Sequence, residues 1–211
     1  MMDLQIALDR MELGAALAVT RAVAGTAEWV EVGTSLVKRY GMAAVEAVAR
    51  EAAGTMGVLA DLKTADDARY EFELAFDVGA QAATVLAMAS PSTVATATTV
   101  AAEHGGDAVI DLMLLTEQQC AEVASKVGRD VVLSAHIVKD DQLSGGNPLD
   151  QFGTWAHGRR LAVAGGLGVE HVPALRGSGD LRLIVGSAVT HAADPGAAVA
   201  ELDAARNQDK E

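Results

Sequence analysis

Gly57-Val58-Leu59-Ala60-Asp61-Leu62-Lys63-Thr64-Ala65-Asp66 is a short apolar run that ends abruptly in charge. Residues 57–60 read as a buried strand, and Asp61 and Lys63 follow it. Spaced two apart, these side chains share a side by strand alternation and can pair. An internal salt bridge is the plain structural account of that pair. The same device recurs along the chain. Apolar runs at residues 4–8, 29–32, 82–86, 108–110, 131–135, 161–164 and 183–185 bring the total to eight. Their starts lie roughly 20 to 30 residues apart, about what one strand, one helix and two short loops consume.

The intervening segments read as helices with recognisable ends. Phe72, Ala75 and Phe76 fall on one face ahead of Gly79, which is placed for a left-handed C-terminal cap. Ser90-Pro91 sets an N-cap hydroxyl before a proline at the first helical position, and Asp194-Pro195 repeats the arrangement. Thr116 and Gln119 make a capping box, after which Cys120, Val123, Ala124 and Val127 form an apolar stripe. Cys120 is therefore expected in the core. Strands apolar on both faces, alternating with helices, describe a covered parallel sheet. The prediction is an α/β fold, one (β/α)8 TIM-barrel domain over residues 1–211. An open doubly wound sheet is the alternative, and the even spacing favours closure.

Composition narrows the function. Hydrophobic residues make up 50% of the 211 and charged residues 21%, enough to bury one sizeable core. Lys plus Arg number 16 against 29 Asp plus Glu, a net charge of -13 that leaves no basic stripe for nucleic acid. No apolar run approaches the roughly 18 residues of a membrane helix, and Met1-Met2-Asp3 lacks the basic start of an export signal. A cytoplasmic location without a membrane partner is expected. The lone Cys120 makes neither an internal disulfide nor a thiolate metal cluster. Carboxylates and imidazoles are left to carry the chemistry.

A barrel places its active site at the C-terminal ends of its strands. There the first run ends in Asp9, the second carries Glu31, the third ends in Asp61-Leu62-Lys63, the fifth in Asp111 and the sixth in His136. Runs seven and eight end in Gly165-Gly166 and Gly186-Ser187, where small side chains let backbone N–H groups reach a ligand. Taken together at those two strand ends, they point to a phosphate; taken singly, they are ordinary turns. Asp9 reads equally as a helix cap. Glu31, flanked by Trp29, Val30 and Val32, would be costly unless a cation or donor meets it. His104, His157, His171 and His191 are read as structural. Ser144-Gly145-Gly146-Asn147-Pro148 predicts a mobile loop over the substrate, with a plain connector as the alternative. Residues 1–3 and 207–211 are expected to fray.

Asp61-Leu62-Lys63-Thr64-Ala65-Asp66 is also a D-x-K-x-x-D motif. With Leu8-Asp9, Glu31-Val32-Gly33-Thr34, Val163-Ala164-Gly165-Gly166 and Val185-Gly186-Ser187, it resembles the orotidine 5'-monophosphate decarboxylase superfamily over nearly the whole chain. Glu31 and His136 resemble the branch containing 3-hexulose-6-phosphate synthase and 3-keto-L-gulonate-6-phosphate decarboxylase. The resemblance implies a homodimer with shared active sites, Mg2+ as cofactor and a small phosphorylated sugar as substrate. It implies that Glu31 and Asp61 hold the metal, that Asp9 and Lys63 contact substrate, and that Asp66 reaches the neighbouring subunit's site. Thr34, Gly165, Gly166, Gly186 and Ser187 would bind the substrate and its phosphate.

The chemistry is coherent on its own terms. Oxygen-only ligands select a hard cation. Two carboxylates about 4 Å apart repel by about 4 kcal/mol at an effective dielectric near 20, so a cation or Lys63 between them resolves the cluster. An imidazole suits proton transfer at the reacting carbon, and His136 is the candidate. Within the branch, Asp111, Val185-Gly186-Ser187-Ala188 and His191-Ala192-Ala193-Asp194-Pro195 resemble the synthase. Lys139 stands where the decarboxylase carries a catalytic Arg, and Ala65 is also decarboxylase-like. The expected activity is a Mg2+-dependent lyase reaction that joins formaldehyde to D-ribulose 5-phosphate through an enediolate. His136 would abstract the C1 proton while Lys63 and Asp111 orient hydroxyls. The alternatives are decarboxylation of 3-keto-L-gulonate 6-phosphate, with Lys139 assisting protonation, and a non-catalytic phosphosugar-binding barrel.

Overall fold

Every predicted apolar run falls on a strand, only Val131 of the sixth lying just outside, in the computed structural model, which describes residues 2–137 and 152–208. The strands are β1 Met2–Leu8, β2 Trp29–Val32, β3 Gly57–Thr64, β4 Ala82–Leu86, β5 Asp107–Asp111, β6 Val132–His136, β7 Arg160–Ala164 and β8 Asp180–Val185. All pair in parallel with their sequence neighbours, and β8 returns to β1 with Leu4 opposite Leu183, closing the barrel. The open doubly wound sheet is excluded. Around it lie α1 Leu13–Val23, α2 Thr34–Tyr40, α3 Met42–Ala52, α4 Ala68–Asp77, α5 Pro91–Glu103, α6 Glu117–Lys126, α7 Val172–Leu175, α8 Ser187–Thr190 and α9 Pro195–Asn207.

The helix ends follow the side chains expected to make them. Ser90 and Asp194 accept hydrogen bonds from Thr93 N and Ala197 N, each at 3.1 Å, and a proline opens each helix. Thr116 and Gln119 form the reciprocal capping box of α6, and Cys120 behind it is fully buried. Gly79 has φ of +100° just after α4. Phe72 on that helix is fully buried, a transfer worth about 2–3 kcal/mol. His104 stacks on Phe76 with centroids 5.1 Å apart, and His171 Nδ1 accepts from Gly168 N at 3.0 Å, so both have structural roles. No helix among the described residues is long and apolar enough to cross a membrane.

Strand alternation divides the sheet into two faces, and only one is uniformly apolar. Leu4, Ile6, Leu8, Val30, Val32, Ala83, Val85, Leu133 and Leu183 pack outward in the core shared with the helices. A smaller inner cluster holds Leu59, Ala82, Val109, Val132 and Ala162. Below it Arg182 stacks on Trp29, 3.8 Å from the ring centroid, and pairs with Asp107. Above it the same inward positions become Glu31, Asp61, Asp111 and His136. The expectation of strands apolar on both faces is therefore corrected. The inward face is apolar only at mid-depth, because the floor and the mouth carry paired charge.

Candidate active site

The mouth of the barrel opens into a cavity of about 710 Å³ whose lining includes Asp9, Glu31, Thr34, Asp61, Lys63, His136, Gly165, Gly166, Gly186 and Ser187. At its centre Lys63 Nζ donates to Asp61 Oδ1 at 3.1 Å and to Asp111 Oδ2 at 2.9 Å. His136 Nδ1 lies 3.1 Å from the same Asp111 oxygen. Asp61 is further held by Thr84 Oγ1 at 2.8 Å and Thr34 Oγ1 at 2.6 Å, while Asp111 accepts from Met113 N at 2.9 Å. Charge-assisted bonds of this kind fix side-chain geometry better than neutral ones.

Simple alternation does not explain how Asp61 and Lys63 meet. The register between β3 and β4 shifts between Ala60 and Thr64, and Lys63 has φ of +50°, in the left-handed region. Its backbone N–H is held by Thr84 Oγ1 at 2.8 Å. A local irregularity, clamped by a neighbouring strand, aims the lysine. This corrects the expected cause of the pairing while leaving the pair itself intact.

The electrostatics set Glu31 and Asp111 apart. Glu31 is almost fully buried, and burial first, then the nearby Asp61 charge, pushes its pKa up to about 8; Gln5 Nε2 donates to it at 2.6 Å. Asp111 behaves oppositely. Burial would raise its pKa, but the His136 hydrogen bond and the Lys63 charge hold it at about 2. Lys63 is kept firmly protonated, since Asp61 and Asp111 outweigh the opposing effect of burial. Among the described residues no group of three or more His, Cys, Asp and Glu side chains forms a metal cluster. Two oxygen donors at Glu31 and Asp61 nevertheless suit a hard cation that takes its remaining ligands from water and substrate. A cation there would offset both the burial and the neighbouring Asp61 charge that push Glu31 toward its neutral form.

Asp9 both caps a helix and lines the cavity. Its Oδ1 accepts from Ser35 Oγ at 2.6 Å and from Ser35 N at 3.3 Å. Gly33 is the N-cap of α2, so Asp9, just beyond β1, supplies the acceptor that Gly33 lacks. A Cβ at Gly33 would lie 2.4 Å from Asp9 Cγ. Gly33→Ala is accordingly expected to expel the carboxylate and lower kcat/KM by about tenfold, the worth of one charged hydrogen bond, with the fold retained. Gly33 has an ordinary φ of -63°, so backbone strain does not enter. Steady-state kinetics beside a thermal melt checks this.

The glycine wall of the cavity, where a phosphate was expected, is also built from missing side chains. Gly165 has φ of +125°, and a Cβ there would meet Ile137 at 3.0 Å. Gly166 follows with φ of +74°. Asp66 is exposed outside the cavity, with Oδ1 accepting from Asp67 N at 2.8 Å. Lys139 and the segment 144–148 lie outside the described residues. Sequence reasoning missed Gln5, Ser35 and Thr84. Gln5 and Thr84 carried a readable signal, a polar residue inside an otherwise apolar run.

Comparison with known proteins places the chain in a family. A model of the orotidine 5'-phosphate decarboxylase / HUMPS family matches residues 2–202. The chain is 35% identical over 209 residues to the 3-hexulose-6-phosphate synthase of Mycobacterium gastri, covering 97% of this chain and 99% of that one. The solved 3-hexulose-6-phosphate synthase from Salmonella typhimurium superposes with a TM-score of 0.89 at 32% identity, covering 98% of this chain and 99% of its own. A 3-keto-L-gulonate-6-phosphate decarboxylase from Vibrio cholerae gives 0.83 at 28% identity over 98% of this chain and 97% of its own. With its closed barrel, its D-x-K-x-x-D strand and a family match over nearly its full length, the chain belongs to the orotidine 5'-phosphate decarboxylase / HUMPS family.

Proposed function

We propose that the protein catalyses the 3-hexulose-6-phosphate synthase reaction, the aldol joining of formaldehyde to D-ribulose 5-phosphate that gives D-arabino-hex-3-ulose 6-phosphate. The observation that carries it is the Asp61–Lys63–Asp111–His136 chain at the mouth of the barrel, in a protein 35% identical to such a synthase over nearly all of both chains. Loss of the C1 proton from the ketose gives a 1,2-enediolate. Its C1 then forms a bond to the formaldehyde carbon, and the formaldehyde oxygen takes up a proton.

His136 serves as the base at C1. Asp111, ionised at neutral pH, can only accept, so it draws the imidazole proton to Nδ1 and makes Nε2 the basic nitrogen. Lys63 Nζ presents positive charge beside the oxygens on which enediolate charge develops. Asp9 accepts a substrate hydroxyl, and the cradle of Gly165, Gly166, Gly186 and Ser187 holds the phosphate. Mg2+, held by Glu31 and Asp61, would supply further charge neutralisation for the enediolate oxygens. The protein acts as a homodimer in which Asp66 approaches the partner's site, and it works in the cytoplasm.

The test is incubation with Mg2+, formaldehyde and D-ribulose 5-phosphate, and in parallel with 3-keto-L-gulonate 6-phosphate, each with and without a chelator. Formaldehyde consumption that the chelator abolishes is expected. Carbon dioxide release instead would move the assignment to the decarboxylase, and silence in both arms would leave a binding barrel.

A further inference from the structure

The cradle offers a phosphate only backbone N–H groups and a hydroxyl. Among the described residues lining the cavity, no cationic side chain comes from the loops after β7 or β8. A phosphate dianion bound there would share the cavity with Asp9, Glu31 and Asp61, in a chain of net charge -13. Lys63 cannot balance it, being held between Asp61 and Asp111. The two remaining Lys or Arg side chains in the lining are Arg10 and Lys38, both exposed and neither in an ion pair among the described residues. Their neighbour Arg39 differs. It is paired with Glu12 at 2.7 Å and packs over Tyr40, and it does not line the cavity.

Arg10 is placed by its surroundings. Its φ is +52°, and its N–H donates at 2.7 Å to Ser35 Oγ, the hydroxyl that holds Asp9. A left-handed conformation at a non-glycine residue is strained and persists where the surroundings enforce it. Among the described residues only four non-glycine positions have positive φ, and Arg10, Lys63 and Leu114, three of them, line this cavity. β1 pairs with β8, with Ile6 opposite Val185, so the bend after β1 that carries Arg10 leaves the barrel beside the β8 end at Gly186 and Ser187. Lys38 comes from α2, which follows β2 on the other side of β1.

We infer that Arg10, assisted by Lys38, is the cationic half of the phosphate-binding site, completing a cradle that β7 and β8 leave uncharged. The assignment rests on the reading of this cavity as a sugar-phosphate site. It adds the residues that recognise the charge of the phosphate.

The test is calorimetric titration of the full chain with inorganic phosphate and with D-ribulose 5-phosphate. It compares wild type with Arg10→Gln, with the Arg10→Gln/Lys38→Gln double variant, and with Arg39→Gln as a control for net charge. Arg10→Gln is expected to weaken both probes by about ten- to a hundredfold, the worth of a charged hydrogen bond. The double variant should weaken them further and flatten the salt dependence, while Arg39→Gln matches wild type. Unchanged binding of both probes to the double variant overturns the inference. So does a loss confined to the sugar phosphate, which would place Arg10 at the sugar instead, and so does a wild type that binds neither probe. Phosphate binding that depends on Arg10 in a protein consuming no formaldehyde would sink the proposed reaction and leave this assignment standing.

Discussion

Lys63→Met is expected to lower kcat/KM by about a thousandfold, in the range found when a preorganised donor to developing negative charge is lost. It should also change how stability depends on pH. Lys63 separates Asp61 from Asp111, both nearly buried, while its own side chain is 23% exposed. Breaking a fully buried pair costs about 3–5 kcal/mol, and allowing for that partial exposure the expected loss is about 2–3 kcal/mol. The sign of the pH effect comes from Asp111, whose pKa falls from an ordinary 3.8 to about 2 on folding. Such a carboxylate contributes stability that is fully present above its unfolded pKa and is lost as the pH falls through its folded pKa. Here that is about 2 kcal/mol between pH 4 and pH 2. Without Lys63 the folded pKa climbs, so the gap between wild type and variant should be widest near neutrality and close below about pH 4. Thermal melts across that range measure it, and a gap constant with pH would show that Asp111 does not depend on Lys63.

The same residues show what a single chain can disclose. Eight strands were legible because each buried outward face is a run of Leu, Ile, Val or Ala, and a hydrophobic run reports burial directly. Strand ends were less legible. β8 begins at Asp180 and not near Leu183, because Arg182 reads as polar although the barrel floor buries it against Trp29 and Asp107. β3 continues through Thr64, beyond the last apolar residue, since its inward side chains are charged. Asp61, Lys63, Asp111 and His136 were legible as strand-end ionisable groups, and the closed barrel brings them together. Their supports were not. Thr84 reaches Asp61 and Lys63 N from β4, and Ser35 reaches Asp9 from α2. Contacts between elements depend on register, which no single strand encodes. The left-handed turn at Lys63 was hidden for the same reason, because the hydroxyl that clamps it lies 21 residues away.

His136→Gln is expected to lower kcat by about a hundred- to ten-thousandfold, the usual worth of a positioned base, while D-ribulose 5-phosphate affinity changes by less than about threefold. A sharper readout leaves out formaldehyde. In heavy water the wild type should exchange the C1 hydrogen of the ketose, and the variant should not. Exchange at the wild-type rate in His136→Gln would hand the base role to another group. Asp111→Asn tests the support of that base. One Asp111 oxygen faces Lys63 Nζ and His136 Nδ1 and the other accepts from Met113 N. An amide has a single acceptor oxygen. Turned toward Met113 N, it aims its NH2 at Nδ1, drives the imidazole proton onto Nε2 and removes the lone pair that takes the C1 proton. Turned the other way, it sets two donors against each other at Met113. Either orientation should cost much of what His136→Gln costs. Because both substitutions disable one proton-accepting unit, the double variant should be no slower than the worse single variant by more than about threefold. Losses that multiply would mean that the carboxylate and the imidazole act in separate steps.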